Sequence, residues 1–122
     1  MSNKTVLIVD DSMAMRRMIA FTLESSGFTV MQGCNGVEGL ELLGRQPADL
    51  IIADVNMPEM DGITFVRNAR ELPGVGTIPI LMLTTENLKS KVAEAREAGA
   101  TGWLVKPFKP ERLVEVVGRV LA

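Results

Sequence analysis

Leu50-Ile-Ile-Ala-Asp-Val-Asn-Met-Pro-Glu-Met-Asp-Gly62 is the stretch on which the fold turns. Its apolar start, Leu50 to Ala53, reads as a buried strand that delivers Asp54 to its end. Asn56, Met57 and Pro58 break the run, and Asp61-Gly62 opens a helical pattern. A short, wholly apolar run between turn signals suits a central parallel strand covered by helices on both faces. Open α/β sheets bind their ligands at the C-terminal edge of such strands. An unpaired carboxylate buried there is costly, so Asp54 requires partners from elsewhere in the chain.

Working outward, Val6 to Val9 is another apolar run, and it ends in Asp10-Asp11-Ser12. Met15, Met18, Ile19 and Leu23 then recur at helical spacing up to Gly27, with Ser12 or Asp11 as the cap. Phe28 to Met31 alternates, as an edge strand would. Val37, Leu40 and Leu43 line a second helix that ends near Gly44 and Pro47. After the opening stretch, Asp61 caps a third helix lined by Ile63, Val66, Ala69 and Leu72, which Pro73-Gly74 terminates. Ile80 to Leu83 is a further apolar run ending in Thr84-Thr85. Leu88, Val92, Ala95 and Gly99 mark a fourth helix. Trp103 to Val105 is a short strand ending in Lys106-Pro107. Pro110 opens a fifth helix carrying Leu113, Val116, Val117, Val120 and Leu121.

Five strands alternating with five helices, without repeats or a low-complexity linker, predict one α/β domain over residues 1–122. The sheet is doubly wound and parallel, with the two weaker strands at the edges in the order 2-1-3-4-5. That topology brings Asp10, Asp11, Asp54, Thr84 and Lys106 to one edge. Three carboxylates and one ammonium leave the cleft at −2. Clustered carboxylates raise one another's pKa or recruit a cation, and hard oxygen ligands that leave positions for water and phosphate oxygens describe a Mg²⁺ site. Such a cleft is poised to accept a phosphoryl group, with Lys106 and the Thr84 hydroxyl facing its oxygens. Asp54, alone in mid-sheet, is the preferred acceptor, and the adjacent Asp10 and Asp11 are the preferred metal holders.

Composition narrows the classes further. The 122 residues carry a net charge of −2 and no dense basic cluster, which argues against a nucleic-acid partner. No apolar run approaches the roughly 20 residues of a membrane span, and no secretory pattern stands at the start, so a cytoplasmic domain is expected. Cys34 is the one cysteine; it makes no internal disulfide and is expected to be an inert thiol. The chain has no His and no Tyr, which removes histidine-based acid–base or triad chemistry.

The motifs Val-Asp-Asp-Ser (9–12), Asp-Val-Asn-Met-Pro-Glu-Met-Asp-Gly (54–62), Leu-Thr-Thr-Glu (83–86) and Lys-Pro-Phe (106–108), in this order and spacing, resemble the receiver domain of the two-component response regulators. The resemblance covers essentially the whole chain. It implies a signalling switch rather than an enzyme, one that takes a phosphoryl group from a partner histidine kinase onto Asp54. It also implies Mg²⁺ held by Asp10, Asp11 and Asp54 with the backbone carbonyl of Asn56, a switch hydroxyl at Thr84, a phosphate-binding Lys106, a switch aromatic at Trp103 and a cis bond before Pro107. Phosphorylation would draw Thr84 inward, make room for Trp103 and reshape the surface of helix four, strand five and helix five. With no output domain after Ala122, the readout falls to a partner protein. The chain resembles stand-alone chemotaxis receivers that bind a flagellar-motor switch, and phosphorelay intermediates and phosphate sinks are related alternatives; a phosphatase is a further possible partner. Two positions depart from the commonest pattern: Thr85 is bulkier than the usual Ala or Gly and would narrow access to Asp54, and Trp103 stands where Tyr or Phe is usual.

Two other classes share parts of this pattern. Haloacid-dehalogenase-type phosphatases pair an aspartyl nucleophile and Mg²⁺ with a general-acid carboxylate two residues on, where this chain has Asn56. Flavodoxin-like cofactor binders share the strand order but want a Ser/Thr/Gly-rich loop after strand one, where this chain has two aspartates.

Overall fold

Leu50, Ile51, Ile52 and Ala53 are wholly buried, and they form the middle strand of a five-stranded parallel sheet. The computed structural model describes residues 4–85 and 89–121. Along the chain, β1 (Thr5–Val9), α1 (Met13–Ser25), β2 (Thr29–Gly33), α2 (Gly36–Arg45) and β3 (Leu50–Asp54) are followed by α3 (Gly62–Arg70), β4 (Ile80–Thr84), α4 (Lys89–Ala98), β5 (Gly102–Val105) and α5 (Pro110–Leu121). The strand order is β2-β1-β3-β4-β5, the doubly wound arrangement expected from the alternation. Among the described residues no helix is long and apolar enough to cross a membrane.

Strand side chains alternate between the faces, so the core splits into two layers. Leu7, Val9, Ile51, Ala53, Ile80 and Met82 pack under α2, α3 and α4 through Leu43, Ile63, Phe65, Val66, Ala69 and Ala95. Val6, Ile8, Leu50, Ile52, Leu81 and Leu83 pack under α1 and α5 through Ile19, Leu23, Leu113, Val116 and Val117. Burying an aliphatic or aromatic side chain of this kind contributes about 1.5–3 kcal/mol, so each layer anchors its helices without help from the polar edge.

Several expectations shift. β2 runs to Gly33 instead of stopping at Met31, because its pairing with β1 sets Val9 beside Gly33. Val37 does not face the core; it is 46% exposed. The inward face of α2 is built on Gly36, Gly39 and Leu43, and a Cβ on Gly39 would lie 2.8 Å from Val9 Cγ2 and 2.9 Å from Phe65 Cε1. The helix therefore sits too close to the sheet for a side chain there. Leu72 follows α3 in a turn, its N–H donating to the Ala69 carbonyl. Gly99 lies just past α4 with φ +117, ending the helix where a helical face had been expected. Leu88, read as part of that face, and Glu86 of the fourth-strand motif lie outside the described residues.

Both capping expectations are met by specific bonds. The Ser12 hydroxyl accepts from the Met15 N–H at 3.2 Å, and the Asp61 carboxylate accepts from the Thr64 N–H at 2.8 Å. Each satisfies an orphan donor of its helix. Capping of α1 by Ser12 leaves the Asp11 carboxylate out of that job.

Candidate functional site

Register turns separation in sequence into proximity. Val9 pairs with Ala53, so the next residues, Asp10 and Asp54, emerge side by side. Asp54 pairs with Leu83 and Thr84 with Val105, so Thr84 and Lys106 emerge one step on. The Val55 N–H donates to the Leu83 carbonyl at 2.8 Å and the Lys106 N–H to the Thr84 carbonyl at 2.6 Å. The ladder thus carries on to the residues at which side chains take over.

One ligand oxygen from each of Asp10, Asp11 and Asp54 lies within 4.8 Å of the other two. Asp10 is fully buried and Asp54 is 6% exposed, whereas Asp11 is exposed. Lys106 crosses the cleft, with Nζ 3.1 Å from Asp10 Oδ2 and 3.4 Å from Asp54 Oδ1. The other Asp10 oxygen accepts from the Ser12 N–H at 2.9 Å. Both Asp10 oxygens are thereby engaged, while no hydrogen bond among the described residues uses the Asp11 carboxylate.

One ammonium does not balance three carboxylates. Burial, and then the charge of Asp10, push the Asp54 carboxyl from 3.8 up to about 6, against the opposing pull of Lys106. Burial and an uncompensated like charge thus both disfavour the ionised form of Asp54. The donor set is all oxygen, one member is solvent-facing, and the deficit is of the size a divalent ion supplies. A hard cation such as Mg²⁺ fits these residues.

The remaining predicted residues surround this centre. Thr84 is buried at the end of β4. Trp103 pairs with Met82 and packs against the same layer as Met82, which puts it on the face that Thr84 shares by alternation. Its Nε1 is buried and has no acceptor among the described residues. Asn56 and Thr85 are exposed in the turns after β3 and β4, and the Lys106–Pro107 bond is cis. Cys34 is exposed near the end of β2, and a hydrogen bond with Glu38 pushes its thiol above the usual value. That keeps it poorly ionised, in line with an inert thiol.

Two contributors were not foreseen. Arg16 Nη1 donates to the Asp10 carbonyl at 2.6 Å, tying α1 to the acidic corner. Gly62, whose N–H donates to the Val55 carbonyl at 2.8 Å, sits against the acceptor strand, where a Cβ would lie 2.1 Å from the Asp54 carbonyl oxygen. Only a residue without a side chain allows this approach. The Asp-Gly pair at 61–62 signals the site in sequence, but its reason is a contact across the loop. Glu59, within that loop, has φ 70, an uncommon conformation for a residue with a side chain.

Residues 6–118 match the model of the response regulator receiver domain. Over 118 residues the chain is 42% identical to the chemotaxis protein CheY1 of Helicobacter pylori, covering 95% of each. The solved structure of the chemotaxis protein CheY4 of Vibrio cholerae superposes with a TM-score of 0.96 at 45% identity, covering 98% of this chain and all of that one. The receiver domain of a sensor histidine kinase from Pseudomonas aeruginosa, solved with a magnesium ion coordinated in its active-site cleft, superposes with a TM-score of 0.89 at 28% identity over 98% of both chains. On the family match over residues 6–118 and this level of identity, the chain belongs to the response regulator receiver family.

Proposed function

We propose that the chain is a phosphorylation-dependent signalling switch in which Asp54 accepts a phosphoryl group from the phosphohistidine of a partner kinase. The observation that carries this reading is the convergence of three carboxylate oxygens within 4.8 Å on a lysine that bridges two of them. An Asp54 oxygen bonds to phosphorus as the phosphorus–nitrogen bond breaks, and the histidine leaves as imidazole, taking its proton from solvent. Lys106 is already between Asp10 and Asp54, so it can follow the charge onto the phosphoryl oxygens without reorganising. Asp11, Asp10 and Asp54 with the Asn56 carbonyl would hold Mg²⁺, and Asp11 has no competing hydrogen bond or ion pair among the described residues. When bound, the ion supplies positive charge for the transferring oxygens.

The change at Asp54 is read out through Thr84 and Trp103. They share a face of the sheet, one strand apart, so movement of the Thr84 hydroxyl toward the phosphoryl group alters the space beside the indole. The Trp103 N–H is buried with no acceptor among the described residues, a cost of about 1–3 kcal/mol, so its resting position is one that a small perturbation can displace. The surface of α4, β5 and α5 then presents a different shape to an output protein. The match spans 95% of the length of CheY1, which supports a receiver acting in chemotaxis, with a flagellar-motor switch as its output. Thr85, exposed beside Thr84, is proposed to narrow the approach of the phosphodonor.

The test is intact-protein mass after incubation with Mg²⁺ and acetyl phosphate. A single added phosphoryl group on the wild type, absent from Asp54→Asn and absent when the metal is chelated, is the expected result. An adduct on Asp54→Asn of equal yield would move the acceptor elsewhere.

A further inference from the structure

At the edge of the sheet opposite Asp54, a hollow of about 200 Å³ lies between the turn that joins α2 to β3 and the loop that follows α3. Leu43, Ala48 and Val75 line it and are each no more than 8% exposed. Pro47 and Pro73 line it as well, and their rings are stiff and carry no N–H. The phosphoryl chemistry has no use for this space. It is separated from the acidic cleft by the five residues of β3, a rise of about 17 Å.

The polar groups around the hollow are one-sided. The last turn of α2 borders it. There the Gln46 N–H donates to the Leu42 carbonyl, but among the described residues no donor reaches the carbonyls of Leu43, Gly44 or Arg45. These are the acceptors that a helix end leaves open, and they form the negative end of the α2 dipole. Arg45 is exposed beside them, and makes no ion pair among the described residues. An anion in the hollow meets the helix end, and a cation meets Arg45. A neutral molecule avoids both, and one that carries an O–H or N–H finds carbonyls to accept it. An apolar cavity of about 150 Å³ takes benzene, so this hollow has room for a six-membered ring with one polar substituent.

We propose that the hollow between the α2–β3 turn and the α3–β4 loop is a binding site for a small neutral aromatic molecule bearing one hydrogen-bond donor, of which phenol is the simplest. The ring covers Leu43, Ala48 and Val75 between the two prolines, and the hydroxyl donates to a carbonyl of the last α2 turn. The site is tied to the rest of the fold. Arg70 Nη1 donates to the Val75 carbonyl at 2.7 Å and Nη2 to the Gly99 carbonyl at 2.6 Å, so an occupant that presses on Val75 is felt at the end of α4. A ligand of this size binds weakly, with a Kd on the order of 1 mM.

Amide chemical shifts of the intact, isotope-labelled chain, followed from about 0.1 to about 20 mM phenol, measure it. Saturable shifts are expected at Gly44, Arg45, Ala48, Gly74 and Val75, with the Gly99 amide following the same curve. Toluene, which lacks the donor, and benzoate, which adds a charge, should each bind about fivefold more weakly. A Cβ on Gly44 meets nothing within 4 Å, so Gly44→Leu should fold with the wild-type urea midpoint and, by filling part of the hollow, weaken phenol about tenfold. Shifts that stay linear to the highest concentration, or that saturate around the acidic cleft or α1 instead, overturn the proposal. So does toluene or benzoate binding as tightly as phenol, or Gly44→Leu binding phenol as the wild type does. A Gly99 amide that stays still while the hollow fills overturns the link through Arg70.

Discussion

Replacing Asp54 by Asn should make the metal-free protein more stable at neutral pH, although it removes the acceptor. The folded carboxyl is held at about 6 against an ordinary 3.8, first by burial and then by the charge of Asp10. A difference of that size corresponds to about 3 kcal/mol between the protonated and ionised forms. Because the folded pKa is the higher one, the folded state binds the proton more tightly, and the cost of ionisation is absent below about 3.8. It grows through the interval up to about 6 and is fully present above it. Asn carries no charge and is spared that cost, but it gives up the weaker of the two Lys106 contacts, at 3.4 Å. The net gain for Asp54→Asn at pH 7.5 is therefore about 1–3 kcal/mol.

Urea unfolding in a chelator at pH 7.5 and again near pH 4.5 reads this directly. With a slope of about 1–3 kcal/mol per molar urea, the midpoint of Asp54→Asn should lie about 1 M above the wild type at the higher pH, and the gap should narrow at the lower. Saturating Mg²⁺ should then reverse the order. An ion bound only by the folded protein adds about 2.7 kcal/mol at one hundred times its Kd, and the variant lacks one of the three carboxylates. A variant less stable than the wild type at pH 7.5 in chelator, or a gap indifferent to pH, would refute the account of Asp54 as a carboxylate whose ionisation burial and Asp10 oppose.

Lys106→Ala should still take label from a small phosphodonor but give a reduced change in Trp103 fluorescence, and a full response would show that Lys106 does not link the two. Gly62→Ala must displace either the Asp54 carbonyl or the start of α3, since the added Cβ meets that oxygen at 2.1 Å. Its cost should be about 1–3 kcal/mol, with slowed labelling by acetyl phosphate in folded protein, and wild-type stability and labelling would contradict the contact. Arg70 donates to the carbonyls of Gly99, Val75 and Ile78 at 2.6–3.0 Å, clamping the end of α4 to the loop before β4. Arg70→Met strands those oxygens and should cost about 2–4 kcal/mol in urea unfolding, whereas a loss under 1 kcal/mol would mean that water replaces the guanidinium freely.

How far the sequence could be read follows from where each contact gets its information. The middle strand was legible because Leu50 to Ala53 are buried on both faces, and a wholly apolar run states that without reference to any neighbour. The cleft was legible because charged groups at strand ends are expensive unless they serve one another, and a parallel sheet sends all such ends the same way. Phe65, wholly buried, was missed because a lattice of Ile63, Val66 and Ala69 already satisfied helical spacing. Val37 was placed inward because apolar periodicity cannot see a glycine as a core contact, although Gly39 is the residue that meets Val9 and Phe65. The least legible groups are Arg16 and Arg70, one holding the Asp10 carbonyl and the other reaching the Gly99 carbonyl 29 residues away. Their acceptors are backbone oxygens, which every residue owns, so no residue type marks the partner. A site's chemistry is thus written in side chains and shows in the sequence. The scaffold that aims it is written partly in carbonyls and missing Cβ atoms, which become visible only once the chain has folded.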